Sequence, residues 1–254
     1  MAIVTPMNKE GAIDFDSFIK LLKFHEDSGT DGIVLVGTTG ESATLNKIER
    51  EEIFKFAKNA TNIPLMAGIG SSSTSEACEL ADMALKNDIK ECLAVTPYYN
   101  KPSQKGLSLH YQELSKTEAN ITLYNVPGRT GVDLLPSTVL KLSEKENITG
   151  IKEAVNTESR FKDLLAIKAM RSDFLLLSGD DPTFVSFMKS GADGIISVAA
   201  NVMPKQIKKL SDLCFSKEFE EAEALNEKYL DLYELLFTEA SPSPCKFLLE
   251  KMSL

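Results

Sequence analysis

The sequence predicts an α/β fold, a (β/α)8 TIM barrel, and three observations carry that prediction. Short apolar, β-branched runs recur through the first 200 residues, beginning at 2, 32, 64, 92, 121, 148, 174 and 194. Most successive starts are separated by about one strand–helix unit. The runs are continuously apolar rather than alternating, as parallel strands covered on both faces are. The segments between them carry the three-and-four spacing of half-buried helices. Eight such units suit a closed barrel better than an open, doubly wound sheet.

The elements follow in order. The runs 2–4 and 32–37 flank a helix with the stripe Phe15, Phe18, Ile19 and Leu22, ended by Ser28-Gly29-Thr30-Asp31-Gly32. The stripe Ile53, Phe56, Ala57 and Ala60 comes next, opened by Asn46 and Glu49 at the spacing of a capping box, and leads to the run 64–68. Ala77, Leu80, Ala81 and Ala84, opened by Ser73 and Glu76, lead to 92–96. The runs 121–125, 148–152 and 174–178 follow. A helix with Phe184, Phe187 and Met188 passes through Ser190-Gly191-Ala192-Asp193-Gly194 into the last run, 194–197. Glycine at both helix ends fits the left-handed C-terminal cap. Beyond the eighth run the chain reads as helix only: 203–214, one long amphipathic helix over 216–237, and 245–252 after Ser241-Pro242-Ser243-Pro244. The domain expectation is a catalytic barrel over 1–200 and C-terminal helices over 201–254.

Composition narrows the function. The chain has 254 residues, 28 Lys plus Arg against 37 Asp plus Glu, and a net charge of −9. Such a surface repels polyanions, so neither nucleic acid nor an anionic membrane is expected as a partner. No apolar run approaches the length of a membrane span. The N-terminus lacks the basic-then-apolar pattern of a secretory signal, and a cytoplasmic location is expected. Cys78, Cys92, Cys214 and Cys245 form no CxxC pair and only His25 and His110 are available to join them, so no metal site and no disulfide framework is expected. His25 and His110 lie away from the strand ends and read as structural.

Barrel chemistry sits at the C-terminal ends of the strands, and polar groups cluster there. Lys152 ends the apolar run 148–151, which aims it at the barrel mouth. A lysine partly desolvated in such a place can attack a carbonyl as the neutral amine and form a Schiff base; a structural ion pair with a carboxylate is the competing reading. Tyr124 ends the preceding strand and can exchange protons there, or be a core tyrosine. Gly37-Thr38-Thr39-Gly40-Glu41 offers backbone N–H groups and two hydroxyls that can cradle a carboxylate. No Gly-Lys-Ser/Thr follows it, so it is not a phosphate loop. Arg129, inside Pro127-Gly128-Arg129-Thr130-Gly131, suits bidentate carboxylate recognition. Tyr98-Tyr99 reads as a site element or an interface anchor.

These segments together, with Val95-Thr96-Pro97-Tyr98-Tyr99-Asn100-Lys101-Pro102, Gly150-Ile151-Lys152-Glu153-Ala154, Leu177-Ser178-Gly179-Asp180-Asp181 and Gly194-Ile195-Ile196-Ser197, resemble the 4-hydroxy-tetrahydrodipicolinate synthase (dihydrodipicolinate synthase) family of pyruvate-dependent class I aldolases. The resemblance runs over nearly the whole chain. It implies that Lys152 forms the imine with pyruvate and that Tyr124 is its proton donor and acceptor, with Thr38 and Tyr99 in the proton relay. It implies that Thr39, Ile196 and Gly179 hold pyruvate and that Arg129 receives the carboxylate of aspartate semialdehyde. It implies no cofactor, a homodimer or homotetramer with Tyr99 crossing to a neighbour, and termini shorter than is usual in the family. The competing functions are a sister aldolase acting on sialic acid or a 2-keto-3-deoxy sugar acid, and a non-catalytic barrel. Arg129 argues against the sugar substrates, which place no second carboxylate there.

Overall fold

Residues 1–254 are described by a computed structural model, and the chain divides into two compact units: Met1–Met66 with Ser197–Leu254, and Ala67–Ile196.

In the first unit, helix α1 (Phe15–Glu26) is capped by the Asp14 carboxylate, which accepts from Ser17 N–H, and buries Phe18, Leu21, Leu22 and His25. Strand β1 (Ile33–Leu35) stops where Val36 turns to a φ of 53°. Helix α2 (Lys47–Ala60) opens with the expected capping box, the Asn46 side chain accepting from Glu49 N–H and the Glu49 side chain accepting from Asn46 N–H. Strand β2 (Leu65–Gly68) carries the chain into the second unit. After it leaves that unit, a 3-10 turn (Ala199–Asn201) precedes α9 (Pro204–Phe215), α10 (Phe219–Glu227), α11 (Leu230–Leu235) and α12 (Ser243–Lys251).

Two expectations are corrected here. The first run, 2–4, does not form a strand: only Ala2 makes a β-bridge, to Val34. The reason is Asn201, whose Oδ1 accepts from Val4 N–H at 3.0 Å and whose Nδ2 donates to the Ala2 carbonyl at 2.8 Å. A side chain thus takes the bonds that a neighbouring strand would have made. The single helix expected over 216–237 is two. At its start Lys217 has a φ of 62°, and between α10 and α11 Tyr229 N–H bonds to Asn226 O, three residues back. That tighter turn interrupts the α-helical ladder.

The second unit holds α3 (Thr74–Lys86), β3 (Glu91–Val95), α4 (Gln104–Leu114), β4 (Asn120–Asn125), α5 (Pro127–Thr130), α6 (Pro136–Leu142), β5 (Ile148–Glu153), α7 (Glu158–Met170), β6 (Leu175–Ser178), α8 (Phe184–Ser190) and β7 (Gly194–Ile195). Pairs β3–β4, β4–β5, β5–β6 and β6–β7 are parallel. Strand interiors such as Cys92, Ala94, Ile121, Leu123, Ile148, Ile151 and Leu176 are fully buried, the signature of strands covered on both faces. Glycines end two helices with left-handed backbone as expected, Gly29 at φ 72° after α1 and Gly191 at φ 112° after α8.

One register detail decides which side chains meet at the strand ends. β4 and β5 pair Ile121 with Ile148 but Thr122 with Gly150, so Thr149 is skipped in a bulge. The shift brings Tyr124 opposite Lys152 and Asn125 opposite Glu153. Without it Tyr124 would face Ile151. Gly150 is required at this point, because a Cβ there would lie 2.6 Å from the Leu175 carbonyl oxygen on β6.

Candidate active site

Lys152 and Tyr124 end two neighbouring strands, and both are almost wholly buried, at 4% and 6% exposure. Lys152 Nζ lies 4.2 Å from the centroid of the Tyr124 ring. No carboxylate pairs with this ammonium: the adjacent Glu153 points to the opposite face of the strand and pairs with Arg160. The ion-pair reading of Lys152 is therefore not what the fold contains. Gly179 sits against the lysine stem, its N–H bonded to the Glu153 carbonyl at 2.7 Å. A Cβ at Gly179 would approach Lys152 Cε to 3.1 Å, so glycine leaves the stem its room. Ile196 is buried at the end of β7, with its N–H committed to the Ser178 carbonyl at 2.9 Å. That amide is unavailable to a ligand, which leaves the carbonyl and the side chain to contribute.

Arg129 stands on α5, the short turn after β4, exposed and without an ion pair. Its own N–H is tied back to the Val126 carbonyl at 2.9 Å, so the backbone is fixed while the guanidinium is unengaged. Tyr99 is 93% exposed and has a φ of 73°, a strained conformation for a residue with a side chain. Its N–H reaches the Thr130 carbonyl at 3.4 Å, which joins its loop to the one carrying Arg129.

In the first unit, Thr38 and Thr39 follow β1 in a turn in which Glu41 N–H bonds to the Thr38 carbonyl at 3.0 Å. Thr5 Oγ1 donates to the Gly40 carbonyl at 2.8 Å. A Cβ at Gly40 would stand 3.2 Å from Ile3 O and Val36 N, so this glycine permits a close backbone approach. Glu41, at φ 61°, pairs with Lys246, and the Arg50 side chain donates to the Leu45 and Ser42 carbonyls. Thr39 is buried, Thr38 half-buried, and neither hydroxyl has a hydrogen-bond partner. A turn braced on all sides with idle hydroxyls is suited to holding a small polar ligand.

The fold brings the Lys152 and Tyr124 side chains into contact at the ends of two adjacent strands. The model of the dihydrodipicolinate synthetase family matches residues 1–254. The chain belongs to this family. The 4-hydroxy-tetrahydrodipicolinate synthase of Saccharophagus degradans is 44% identical to it over 257 residues, covering 100% of this chain and 88% of that protein. That of Stutzerimonas stutzeri is 47% identical, with 100% and 87% covered. Among solved structures, the chloride-inhibited dihydrodipicolinate synthase of Acinetobacter baumannii, complexed with pyruvate, superposes with a TM-score of 0.95 at 44% identity, covering 99% of this chain and 87% of that one. The Thermotoga maritima enzyme gives 0.96 at 38% identity, with 99% and 86% covered. This member of the dihydrodipicolinate synthetase family is an enzyme of the lyase type.

Its two histidines are structural, as expected. His25 Nδ1 is hydrogen-bonded to Thr30 Oγ1 at 3.0 Å and His110 Nδ1 to Thr74 Oγ1 at 2.9 Å, and burial pushes both imidazoles down to about 4. The sequence reading missed a buried polar cluster behind the lysine: Asn125, Asp133, Glu153 and Arg160. Burial pushes the Glu153 carboxyl up to about 7 and Asp133 adds to the rise, against the lowering effects of Val155 N–H, Asn125 and Arg160. The available signal was Asn125 and Glu153, polar residues in the positions immediately after Tyr124 and Lys152 on two otherwise apolar strands.

Proposed function

We propose that Lys152 is the amine that captures pyruvate, and that the observation carrying this is a buried lysine Nζ with no carboxylate partner, 4.2 Å from the centroid of the Tyr124 ring. The reaction is the condensation of pyruvate with L-aspartate 4-semialdehyde to 4-hydroxy-tetrahydrodipicolinate, the aldolase-type step of diaminopimelate and lysine biosynthesis. Lys152 Nζ adds to the keto carbon of pyruvate, and the carbinolamine loses water to give the protonated imine. The imine is the electron sink, so loss of a methyl proton yields an enamine, which attacks the aldehyde carbon. The amino group of the second substrate then displaces Lys152 as the ring closes. Tyr124 Oη is the proton carrier beside Nζ, with Thr38 and Tyr99 as its relay partners. Thr39, Gly179 and Ile196 hold pyruvate, and Arg129 receives the semialdehyde carboxylate.

The fold reading that goes with this is a (β/α)8 barrel over residues 1–200 followed by C-terminal helices over 201–254, supported by TM-scores of 0.95 and 0.96 to enzymes of the family. A homodimer or homotetramer in the cytoplasm completes the proposal. The extended Tyr99 supports the oligomer, because a strained, 93% exposed tyrosine is held away from its own chain. Mixing Tyr99→Phe chains with Lys152→Ala chains restores activity if that side chain serves a neighbour; subunit exchange without restored activity argues against it.

The decisive experiment is borohydride reduction in the presence of pyruvate, followed by peptide mapping. One reduced pyruvate on Lys152 is the expected result. An adduct on a different lysine, or none on folded protein, sinks the assignment.

A further inference from the structure

Asn125 and Glu153 lie opposite each other on β4 and β5, one residue beyond Tyr124 and Lys152 and on the other face of the sheet. Asn125 Nδ2 reaches Glu153 Oε1 at 3.0 Å, Glu153 Oε2 at 3.1 Å and Asp133 Oδ1 at 2.8 Å. Its Oδ1 accepts from Leu134 N–H at 2.9 Å. Arg160, from the first turn of α7, places Nη2 2.5 Å from Asp133 Oδ2, donates from Nη1 to the Leu134 carbonyl at 3.0 Å, and holds Nη1 3.5 Å from Glu153 Oε2. Glu153 Oε1 also accepts from Val155 N–H at 2.8 Å. The Glu153 side chain has no exposed surface.

These bonds have a geometric consequence. The segment 125–134 leaves the sheet at Asn125, carries Arg129, and returns at Asp133 and Leu134. Its first residue is bonded to Glu153, its far end is bonded to Asn125 and Arg160, the two side chains that hold Glu153, and Glu153 is the residue covalently next to Lys152. Leu134 is held by its N–H and its C=O together. The Arg129 side chain makes no hydrogen bond or ion pair that would set its place relative to the lysine. An aldol addition needs the two reacting carbons within near-attack distance, and a shift of about 1 Å costs on the order of a hundredfold in rate. A fully desolvated carboxylate is an expensive way to fill this space, and a purely structural strap between loop and strand could be apolar.

We propose that Glu153 is a positioning residue for the reaction: through Asn125, Asp133 and Arg160 it clamps both ends of the Arg129 segment to the strand end that carries Lys152, and so sets where the second substrate's carboxylate lies relative to the imine. The inference rests on the roles proposed above for Lys152 and Arg129. A carboxylate pushed up to about 7 by burial is in keeping with a group kept for its bonds rather than for solubility.

The test is Glu153→Gln in the full-length enzyme, with the active fraction counted by borohydride-trapped pyruvate on Lys152. The expected result is trapping within about twofold of wild type and a KM for aspartate semialdehyde raised about tenfold, with the KM for pyruvate little changed. In the Glu153→Gln background Arg129→Ala should cost markedly less than it does in wild type, since both act on the same contact. A merely structural Glu153 would lower the melting temperature and the trappable fraction while leaving both KM values of the surviving sites unchanged, and that result overturns the proposal. So do additive effects of the two substitutions. If Glu153→Gln does not fold, Asp133→Asn decides. It breaks the same clamp at its 35% exposed end and should raise the semialdehyde KM about threefold, while an unchanged KM overturns the inference. A wild-type enzyme that traps no pyruvate on Lys152 overturns the underlying reading instead, which keeps the two failures apart.

Discussion

On one face of β4 and β5 the side chains of Tyr124 and Lys152 touch each other and make no hydrogen bond or ion pair. On the opposite face, one residue further along both strands, Asn125 and Glu153 are engaged by two side chains and two backbone N–H groups. Both pairs are buried. The difference shows that one strand pair can hold polar side chains in two states: without hydrogen-bond partners on the face where the proposed chemistry lies, and saturated on the face that ties strand, loop and helix together. Unsatisfied buried groups lower stability and are found where function requires them. The saturated cluster offsets that loss by tying loop, strand and helix together.

The comparison predicts that substitutions on the two faces separate activity from stability. Lys152→Ala should lower turnover at least about ten-thousandfold, with no pyruvate adduct, while the melting temperature stays at or above that of wild type because a buried amino group without a hydrogen-bond partner is removed. Circular dichroism with a coupled assay checks both; a large drop in melting temperature would mean that the lysine supports the fold. Arg160→Ala should do the converse and cost about 3–5 kcal/mol of unfolding free energy, since it leaves Asp133 and the wholly buried Glu153 without their cation. Urea titration measures it, and a loss below about 1 kcal/mol would show that the cluster is not the support described.

Arg129→Ala sharpens the contrast within one loop. The arginine is exposed and unpaired, so stability should change by less than about 0.5 kcal/mol. Selective binding of the semialdehyde should fall by about 2–5 kcal/mol, with imine formation from pyruvate less affected. Equal loss in both steps would assign Arg129 to holding the site together.

The remaining effect is in the pH dependence, spread over several pH units. Glu153 is raised in the folded protein from an ordinary 4.5 to about 7. The folded state therefore binds the proton more tightly than the unfolded chain does. The group's share of stability is greatest below about 4.5 and is lost as pH rises through 7, with a slope of at most ~1.4 kcal/mol per pH unit. His25 and His110, lowered from 6.5 to about 4, work the other way, and their share is lost as pH falls from 6.5 towards 4. Subtracting the Glu153→Gln stability profile from that of wild type isolates the first slope; a flat difference would show that the carboxyl does not titrate in this window. Asp133 and Arg160, which face it, are unchanged in both proteins.

Much of this was readable in the chain. Continuous apolar runs at regular spacing located seven strands, because parallel strands buried on both faces leave no place for alternation. Asn46 with Glu49, and the glycines at 29 and 191, marked helix ends, because caps are local chemistry between residues a few positions apart. Lys152, Tyr124 and Arg129 stood out because polar groups at the ends of apolar strands are exceptions to the pattern around them. The strand expected over 2–4 and the single helix over 216–237 were not readable. The Asn201 side chain and the turn at Tyr229 decide those, and neither is announced by periodicity.

The sequence by itself determined the order of strands and helices and which polar residues stand at the ends of apolar strands, since both follow from local pattern. Which face each of those residues occupies was decided only by the tertiary structure. The bulge at Thr149 shifts β5 against β4 by one residue, and because side chains alternate with period two, that single step places Tyr124 rather than Asn125 beside Lys152 and sets Asn125 beside Glu153. The side-chain partners of Glu153 come from β4 and from α7, up to 28 residues away, and the loop before α6 is bonded in turn to those partners. No local rule joins groups so far apart. The packing of strand against loop and helix brings them within bonding distance, and burial then makes those bonds obligatory.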